Sequence, residues 1–178
     1  CSSDLWQSDA SGRTATVIRA RRPLAESVAA VFDDGSRLEL AHVAEGIWEA
    51  QHPGAPVAYR LATAYAGDDE TIVGDPYRHS PTLGELDLHL IAEGRHERLW
   101  DALGAHPRVV DGESGVAFAV WAPNATAVRV VGDVNGWSGE SHAMRSMGGS
   151  GIWELFVPDL AAGMTYKYQI RTRDGSWI

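Results

Sequence analysis

Apolar and polar residues alternate in short runs along most of the chain. In the run 164–171, Tyr166, Tyr168 and Ile170 fall on one side and Lys167 and Gln169 on the other. A period of two is typical of a half-buried β-strand. Comparable runs rich in β-branched and aromatic residues predict further strands at 14–20, 27–32, 37–40, 47–50, 57–64, 117–121, 126–131 and 153–157.

The strand pattern occurs twice in the chain. Pro23 matches Pro123, and the stretch Gly46–Glu49 matches Gly151–Glu154 further along. An ordered internal repeat of this kind indicates two copies of one module. Because each copy contains several short strands separated by turns, we predict an all-β fold with two immunoglobulin-like β-sandwich modules.

A short strand-helix connector is predicted between the modules. Leu86, Leu88 and Leu90 alternate with polar residues, which predicts an edge strand. Residues 95–103 carry apolar side chains at helical spacing and are followed by Gly104, a typical helix terminator. The expected organisation is a first module at 1–74, a connector at 75–108 and a second module at 109–178.

Composition narrows the classes of function. The chain has 178 residues, 44% of them hydrophobic, and a formal charge of −9. This charge argues against nucleic acid as a partner, since binding the phosphate backbone needs a basic surface. The sequence contains no apolar run of membrane-spanning length, so we expect no membrane partner. Its single cysteine excludes an internal disulfide framework and a cysteine zinc site.

The known catalytic motifs are missing from the sequence. It has no nucleophile elbow, phosphate loop, dinucleotide fingerprint or metalloprotease motif. His89, Glu93 and His96 come nearest to a metal-ligand cluster, but a third close ligand is not evident, and structural roles are expected for them. We therefore predict no catalytic residue, no metal site and no cofactor.

Six of the seven tryptophans divide into two groups. Trp48 and Trp153 hold equivalent places in the two copies and are expected to pack in the core, as are Trp100 and Trp121. Trp137 and Trp177 instead follow polar turns. A tryptophan on a turn is either a lid over the sandwich or an exposed platform for a sugar ring, and both interpretations stay open.

Lys167 is the only lysine in a chain with 14 arginines, and it lies on the polar side of its predicted strand. It is either an ordinary surface charge or a hydrogen-bond donor to a neutral polyhydroxylated ligand. The acidic net charge is compatible with a neutral polysaccharide.

Several stretches resemble known families. Gly115–Ala125, Gly132–Trp137 and Ser150–Phe156 resemble the family-48 carbohydrate-binding module, which precedes the catalytic barrel of glycogen branching and debranching enzymes. Pro81–Leu90 and Leu103–Pro107 resemble the bacterial 1,4-α-glucan branching enzymes that carry two N-terminal sandwich modules. The resemblance implies a non-catalytic part of an enzyme that forms α-1,6 branches in glycogen.

This resemblance also implies partners and limits. The expected partners are α-1,4-glucan or glycogen and a catalytic barrel in cis, in the cytoplasm. The barrel's catalytic motifs have no match here, so we expect a piece of a longer protein, inactive alone, with an incomplete first module and a truncated second one. Two alternatives stay open: a free-standing glucan-binding or regulatory module, and the N-terminal part of a debranching or trehalose-releasing hydrolase.

The resemblance supplies candidate binding residues. In the related glycogen-binding module of the AMP-activated kinase β subunit, sugar contacts come from two turn tryptophans and a strand lysine. The corresponding motifs here are Asn135–Trp137, Tyr166–Tyr168 and Asp174–Trp177. The candidate carbohydrate-binding residues are therefore Asn135, Trp137, Lys167 and Trp177. In the first module Asp33–Ser36 stands where Trp137 would be, so that module is expected to be structural.

Overall fold

The fold was examined in a computed structural model, which describes residues 4–8 and 14–178. The chain divides into two compact units, Cys1–Arg78 and His79–Ile178. Both are built mainly from antiparallel strands, so the predicted all-β class is confirmed.

The first unit is a sandwich of two antiparallel four-stranded sheets, with strand orders β1-β2-β6-β5 and β4-β3-β7-β8. Its strands are β1 Asp4–Ser8, β2 Thr14–Arg21, β3 Ala25–Phe32, β4 Arg37–Glu39, β5 Ala41–Ala44, β6 Ile47–Pro53, β7 Tyr59–Tyr65 and β8 Thr71–Gly74. The side chains of Ile18, Val28 and Leu61 are nearly inaccessible to solvent and pack together with Trp48 between the sheets. Every strand predicted in this half of the sequence is present.

The second unit pairs a four-stranded sheet, with order β12-β13-β10-β9, with a two-stranded ribbon formed by β11 and β14. Its strands are β9 Gly104–Val110, β10 Glu113–Trp121, β11 Ala127–Gly132, β12 Arg145–Ser146, β13 Ile152–Pro158 and β14 Tyr166–Arg171. Strand β9 begins inside the stretch 75–108 that the sequence predicts as connector and extends two residues beyond it. Its residues pair along β10 from Gly104 opposite Ala119 to Val110 opposite Glu113.

Aromatic residues of β14 join the ribbon to the larger sheet. The ring of Tyr166 meets that of Phe118 edge-on at 5.0 Å. The hydroxyl of Tyr168 donates one hydrogen bond that is shared between the carbonyls of Gly104, at 2.9 Å, and Ala119, at 3.2 Å. Burial raises the pKa of Tyr168, so the phenol stays protonated and able to donate. The apolar side of β14 thus faces inward, as its sequence alternation predicts.

The predicted edge strand at residues 86–90 is wrong, because this stretch is the helix α1, Glu85–Ala92. The leucine alternation also fits helical spacing, since Leu88 and Ile91 lie on the same side of a helix turn. Acidic residues in the first turn and the left-handed Gly94 after the last turn favour the helix. Tertiary packing resolves the ambiguity, because Ile91 and Leu88 contact the outer face of the larger sheet.

The helix predicted at 95–103 is shorter than expected. Only α2, Leu99–Ala102, is helical, and Leu103 is already extended. The backbone N–H of Arg98 donates to Nδ1 of His96, a local bond that competes with helix formation. Gly104, with φ of +107°, is the first residue of β9, and the helix has already ended two residues before it.

The buried carboxylate of Glu154 ties the segment before α1 to the second sandwich. Its side chain is fully buried on β13, and its Oε2 accepts hydrogen bonds from the backbone N–H groups of Thr82, at 2.7 Å, and Leu83, at 3.3 Å. Leu83 packs nearby against Ala119 and Ile152. This segment is therefore a covering layer on the second unit and does not behave as a loose linker.

Two of the predicted core tryptophans are in fact on the surface. Trp48 is buried and Trp153 is half-buried, as expected for equivalent residues of the repeat. Trp100 and Trp121, however, are 67% and 57% exposed. Trp121 is the last residue of β10 and Trp100 lies on the short α2, so neither has a full layer of structure above it.

Candidate functional site

The loop that follows β11 presents Trp137 to solvent. A single 3₁₀ turn, Asp133–Asn135, leads into Gly136 and Trp137, which both adopt left-handed backbone conformations with φ of +56° and +65°. This conformation is uncommon for a bulky residue and costs conformational energy. The backbone N–H of Trp137 donates to the carbonyl of Gly132 at 2.9 Å, and the indole side chain is 47% exposed. Trp137 is therefore not a buried lid.

Asn135 lies inside the same loop, and its amide bonds to neighbouring backbone and side-chain groups. Its Nδ2 donates to the carbonyl of Val130 at 2.9 Å and lies 3.0 Å from Nδ1 of His142. Its Oδ1 accepts the backbone N–H of Gly132 at 3.0 Å. The amide nitrogen and oxygen are thus both bonded to backbone groups, so the arrangement favours a role in shaping the loop that carries Trp137.

The polar face of the ribbon presents Lys167. In the antiparallel register, Lys167 is opposite Val131 and Gln169 is opposite Arg129. Residues paired in this way share a face, so the four side chains form one surface. Lys167 is exposed on it, consistent with the polar side predicted from the sequence.

A hairpin turn at the other end of β14 returns the chain so that Trp177 pairs with Arg171. Gly175, with φ of +90°, occupies the left-handed position that the turn requires. The carboxylate of Asp174 accepts hydrogen bonds from the Thr172 hydroxyl and from the backbone N–H of Ser176, and these bonds lower the pKa of that carboxyl. Because paired residues share a face, Trp177 joins the surface that carries Lys167.

The guanidinium of Arg129 stacks on the ring of Trp177 on this surface. Its Cζ is 4.3 Å from the centroid of the indole ring, which is cation–π geometry. Its Nη1 also donates to Oε1 of Glu140 at 3.0 Å. Arg129 and Glu140 could not be predicted from the sequence. The contact between Arg129 and Trp177 joins residues far apart in the chain, and no local sequence pattern indicates it.

We name the surface formed by Arg129, Lys167, Gln169 and Trp177 the ribbon face. The loop that carries Trp137 lies beside it, because Gly139, two residues later, abuts the side chains of Arg129 and Val131. The ribbon face thus combines an aromatic platform with cationic and amide donors. Such a surface suits stacking and hydrogen bonding to a polyhydroxylated ring.

The side chains considered as possible metal ligands form separate pairs. His89 lies 3.4 Å from Glu93, and His96 lies 3.2 Å from Asp87, each as a pair. Within residues 4–8 and 14–178, no group of three potential metal ligands comes together. Over the same part of the chain, no helix is long and apolar enough to cross a membrane.

A second concave surface in this unit is apolar. A cavity of about 190 Å³ is lined by Val116, Phe118, Val134 and the stretch 160–166. Tyr166 points there, on the opposite side of β14 from Lys167. None of the four candidate binding residues lines this cavity.

An antiparallel sandwich with an aromatic, donor-rich face is the architecture of a carbohydrate-binding module. Residues 102–178 match carbohydrate-binding module 48, the isoamylase N-terminal domain. Residues 8–77 match the N-terminal domain of the α-1,4-glucan branching enzyme GlgB. The chain therefore carries a GlgB N-terminal domain followed by a family-48 carbohydrate-binding module, with residues 78–101 between the two matches.

Curated relatives are similar to most of this chain. The 1,4-α-glucan branching enzyme GlgB of Leifsonia xyli subsp. xyli is 56% identical over 163 residues, which are 92% of this chain and 22% of that protein. The enzyme of the same name from Thermobifida fusca is 54% identical over 151 residues, 82% of this chain and 20% of that protein. The chain thus spans about a fifth of the length of the curated relatives it matches.

Among solved structures, the pullulanase from Bacillus acidopullulyticus is similar over 98% of this chain and 25% of its own, with 14% identity and a TM-score of 0.36. A similarity of this size adds nothing to the assignment, which rests on the two family domains.

Proposed function

We propose that this chain is the non-catalytic N-terminal part of a 1,4-α-glucan branching enzyme, and that its second module binds α-glucan on the ribbon face. The single observation that carries the proposal is the placement of Trp177 and Lys167 on one face of a family-48 module, with Trp137 at its border. These are the residue types that sugar recognition uses, and they come from three separate parts of the sequence.

Stacking on indole rings supplies the apolar half of the interaction. One side of a glucose ring presents C–H groups, which lie favourably against an indole, while its hydroxyls need hydrogen-bond partners. Trp137 offers an exposed ring, and Trp177 offers the side of its ring that Arg129 does not cover. Two platforms on neighbouring loops suit a chain of several sugars better than a single residue.

Lys167 and Gln169 supply the polar half. Both side chains extend from the ribbon face between the loop of Trp137 and the hairpin of Trp177. An ammonium group donates up to three hydrogen bonds and a carboxamide both donates and accepts, so together they match the hydroxyls of a neutral glucan. We assign Asn135 to the shape of the loop and not to sugar contact, since its amide is already bonded within the fold.

In the whole enzyme, we infer that the module holds a glucan near a catalytic barrel in cis. Tethering a binding module to a catalytic domain raises the local concentration of substrate without any new contact at the reaction centre. The first module lacks a counterpart of Trp137 and is assigned a structural role. The cytoplasm is the compartment that this role implies.

Affinity electrophoresis in glycogen-containing gels tests glucan binding. The chain is expected to be retarded, and Trp177→Ala and Trp137→Ala should each weaken binding by about tenfold through loss of a stacking platform. Trp100→Ala is the matched control, because Trp100 is also exposed but lies on α2, away from the ribbon face.

The outcomes separate the alternatives. If the unmodified chain is not retarded, glucan binding by this region is wrong. If Trp100→Ala loses retardation while the other two variants keep it, a different surface binds. Activity of the full-length protein on α-1,4-glucan, with appearance of α-1,6 linkages, distinguishes a branching enzyme from a hydrolase and from a free-standing module.

A further inference from the structure

We propose that Arg129 is a positioning residue that fixes the indole of Trp177 as a one-sided platform for α-glucan. The inference rests on the proposed function and deepens it. The guanidinium Cζ lies 4.3 Å from the ring centroid, so it covers one side of the indole. In the proposal, a sugar stacks on the opposite side. Trp177 remains half-buried in this arrangement.

The guanidinium is itself held in place. Its Nη1 donates to Glu140 at 3.0 Å, and only 23% of the Arg129 side chain is exposed. Gly139 presses against the aliphatic stem: a Cβ built there would lie 2.6 Å from Cδ and 2.9 Å from Cβ of Arg129. The arginine therefore has a fixed stem and a paired head, which is what a support for a ring requires.

Trp177 needs such a support because its backbone anchorage is short. The hairpin fixes its main chain through the bridge to Arg171 and through two hydrogen bonds between Ile170 and Ile178. These bonds do not set the side-chain torsions of Trp177. The cation–π contact with Arg129 selects one ring orientation before a ligand arrives, which lowers the entropic cost of binding.

The same support links the two aromatic platforms. Glu140 and Gly139 belong to the loop that carries Trp137, and they contact Arg129, which in turn contacts Trp177. A change in the loop that carries Trp137 therefore reaches the ring of Trp177 through the Glu140–Arg129 ion pair and the stacking of Arg129 on that ring. The two indoles are expected to act as a unit, although no direct contact between them is needed.

Fluorine NMR of the 178-residue chain labelled with 5-fluorotryptophan tests the positioning without ligand. The Trp177 resonance is assigned from its loss in Trp177→Phe. Arg129→Gln and Glu140→Gln should both shift or broaden this resonance, whereas Arg95→Gln, which removes the same charge from an exposed site, should leave it unchanged. An unchanged Trp177 resonance in Arg129→Gln overturns the proposal.

Titration with maltoheptaose tests the consequence for binding. Arg129→Gln should weaken binding by about fivefold, the fold-change that corresponds to an exposed cation–π contact. In the Trp177→Ala background the same substitution should cause no further loss, since Arg129 acts through the ring. A further loss in that background would mean that Arg129 contacts the sugar itself, which contradicts the positioning role.

The two measurements keep the inference separate from the proposed function. If the unmodified chain fails to bind maltoheptaose while Arg129→Gln shifts the Trp177 resonance, the stack is real but glucan is not the ligand, and the platform role is overturned with the proposed function. If the chain binds and Arg129→Gln changes neither the resonance nor the affinity, glucan binding stands and the positioning role alone is wrong.

Discussion

Gly151 packs directly against Pro123. A Cβ on Gly151 would lie 2.7 Å from Cβ of Pro123, and its φ of +74° is a conformation that favours glycine. The first unit repeats this contact between Gly46 and Pro23. A Cβ built on Gly46, whose φ is +75°, would lie 2.7 Å from Cα of Pro23. The sequence repeat thus corresponds to the same glycine–proline packing contact in both units.

The two repeat tryptophans complete this contact. The indole N–H of Trp153 donates to the carbonyl of Ala122 at 3.1 Å, and that of Trp48 donates to the carbonyl of Arg22 at 3.1 Å. Each acceptor precedes the proline of its own unit. The glycine, proline and tryptophan therefore recur together because they are three parts of one contact.

Gly151→Ala should destabilise the second unit by about 2 kcal/mol or more, because the new methyl group meets Pro123 and the left-handed backbone penalises a side chain. Urea unfolding measures the loss. Gly149→Ala is the control, since a Cβ at Gly149 meets nothing within 4 Å and its φ is ordinary. Equal stability of the two variants would contradict the packing argument.

Glu154→Ala should release the segment that precedes α1. The substitution removes the carboxylate that accepts the N–H groups of Thr82 and Leu83, which leaves two partly enclosed donors without this partner. Hydrogen–deuterium exchange should then rise at residues 82–91.

The exposed Glu97 provides the control for this experiment, since Glu97→Ala removes the same charge from the surface. Exchange across residues 82–91 that is the same in both variants would show that Glu154 does not hold the segment.

The pKa of Asp174 should lie below the ordinary aspartate value of about 3.9. The Thr172 hydroxyl and then the Ser176 backbone N–H bond to the ionised carboxylate and lower its pKa. The hydrogen bonds of the ionised carboxylate therefore stabilise the Trp177 hairpin fully at pH values above the ordinary aspartate pKa. This stabilisation is lost as the pH falls through the lowered pKa of Asp174 in the folded chain. Carbon-13 NMR titration of the carboxyl measures the midpoint.

Thr172→Val should raise the pKa of Asp174 toward the ordinary value. Asp34 serves as an internal control, because the hydroxyl and backbone N–H of Ser36 lower its pKa in the same way in the first unit. A midpoint for Asp174 that does not move in Thr172→Val would refute the assigned cause.

Lys167→Met should weaken glucan binding by about fivefold, because it keeps the aliphatic stem but removes a charged donor from an exposed part of the ribbon face. Isothermal titration with maltoheptaose measures the change. Arg95→Met, which removes a charge from the α1–α2 region, should bind as the parent does. If Lys167→Met binds maltoheptaose with the affinity of the parent, Lys167 is an ordinary surface charge and does not donate a hydrogen bond to glucan.

Much of the fold could be predicted because the signals are local. Alternation in β14 and the turn residues of the hairpins depend on neighbours within a few positions. The candidate site could also be predicted in part from the sequence, since Trp137, Lys167 and Trp177 each belong to a short motif. The leucines of α1 show the limit, because their spacing fits both a strand and a helix until the sheet beneath them is known.

The sequence by itself determined the two-module repeat, the all-β class, the two family domains and three aromatic or basic positions of the proposed site. Only the tertiary structure decided that α1 covers the second sandwich, that Trp100 and Trp121 are exposed, and that the guanidinium of Arg129 lies against the ring of Trp177. The reason is physical: burial and stacking depend on which distant strands become neighbours. Arg129 and Trp177 are separated along the chain and meet only because β11 pairs with β14 and the hairpin after β14 returns over the ribbon face.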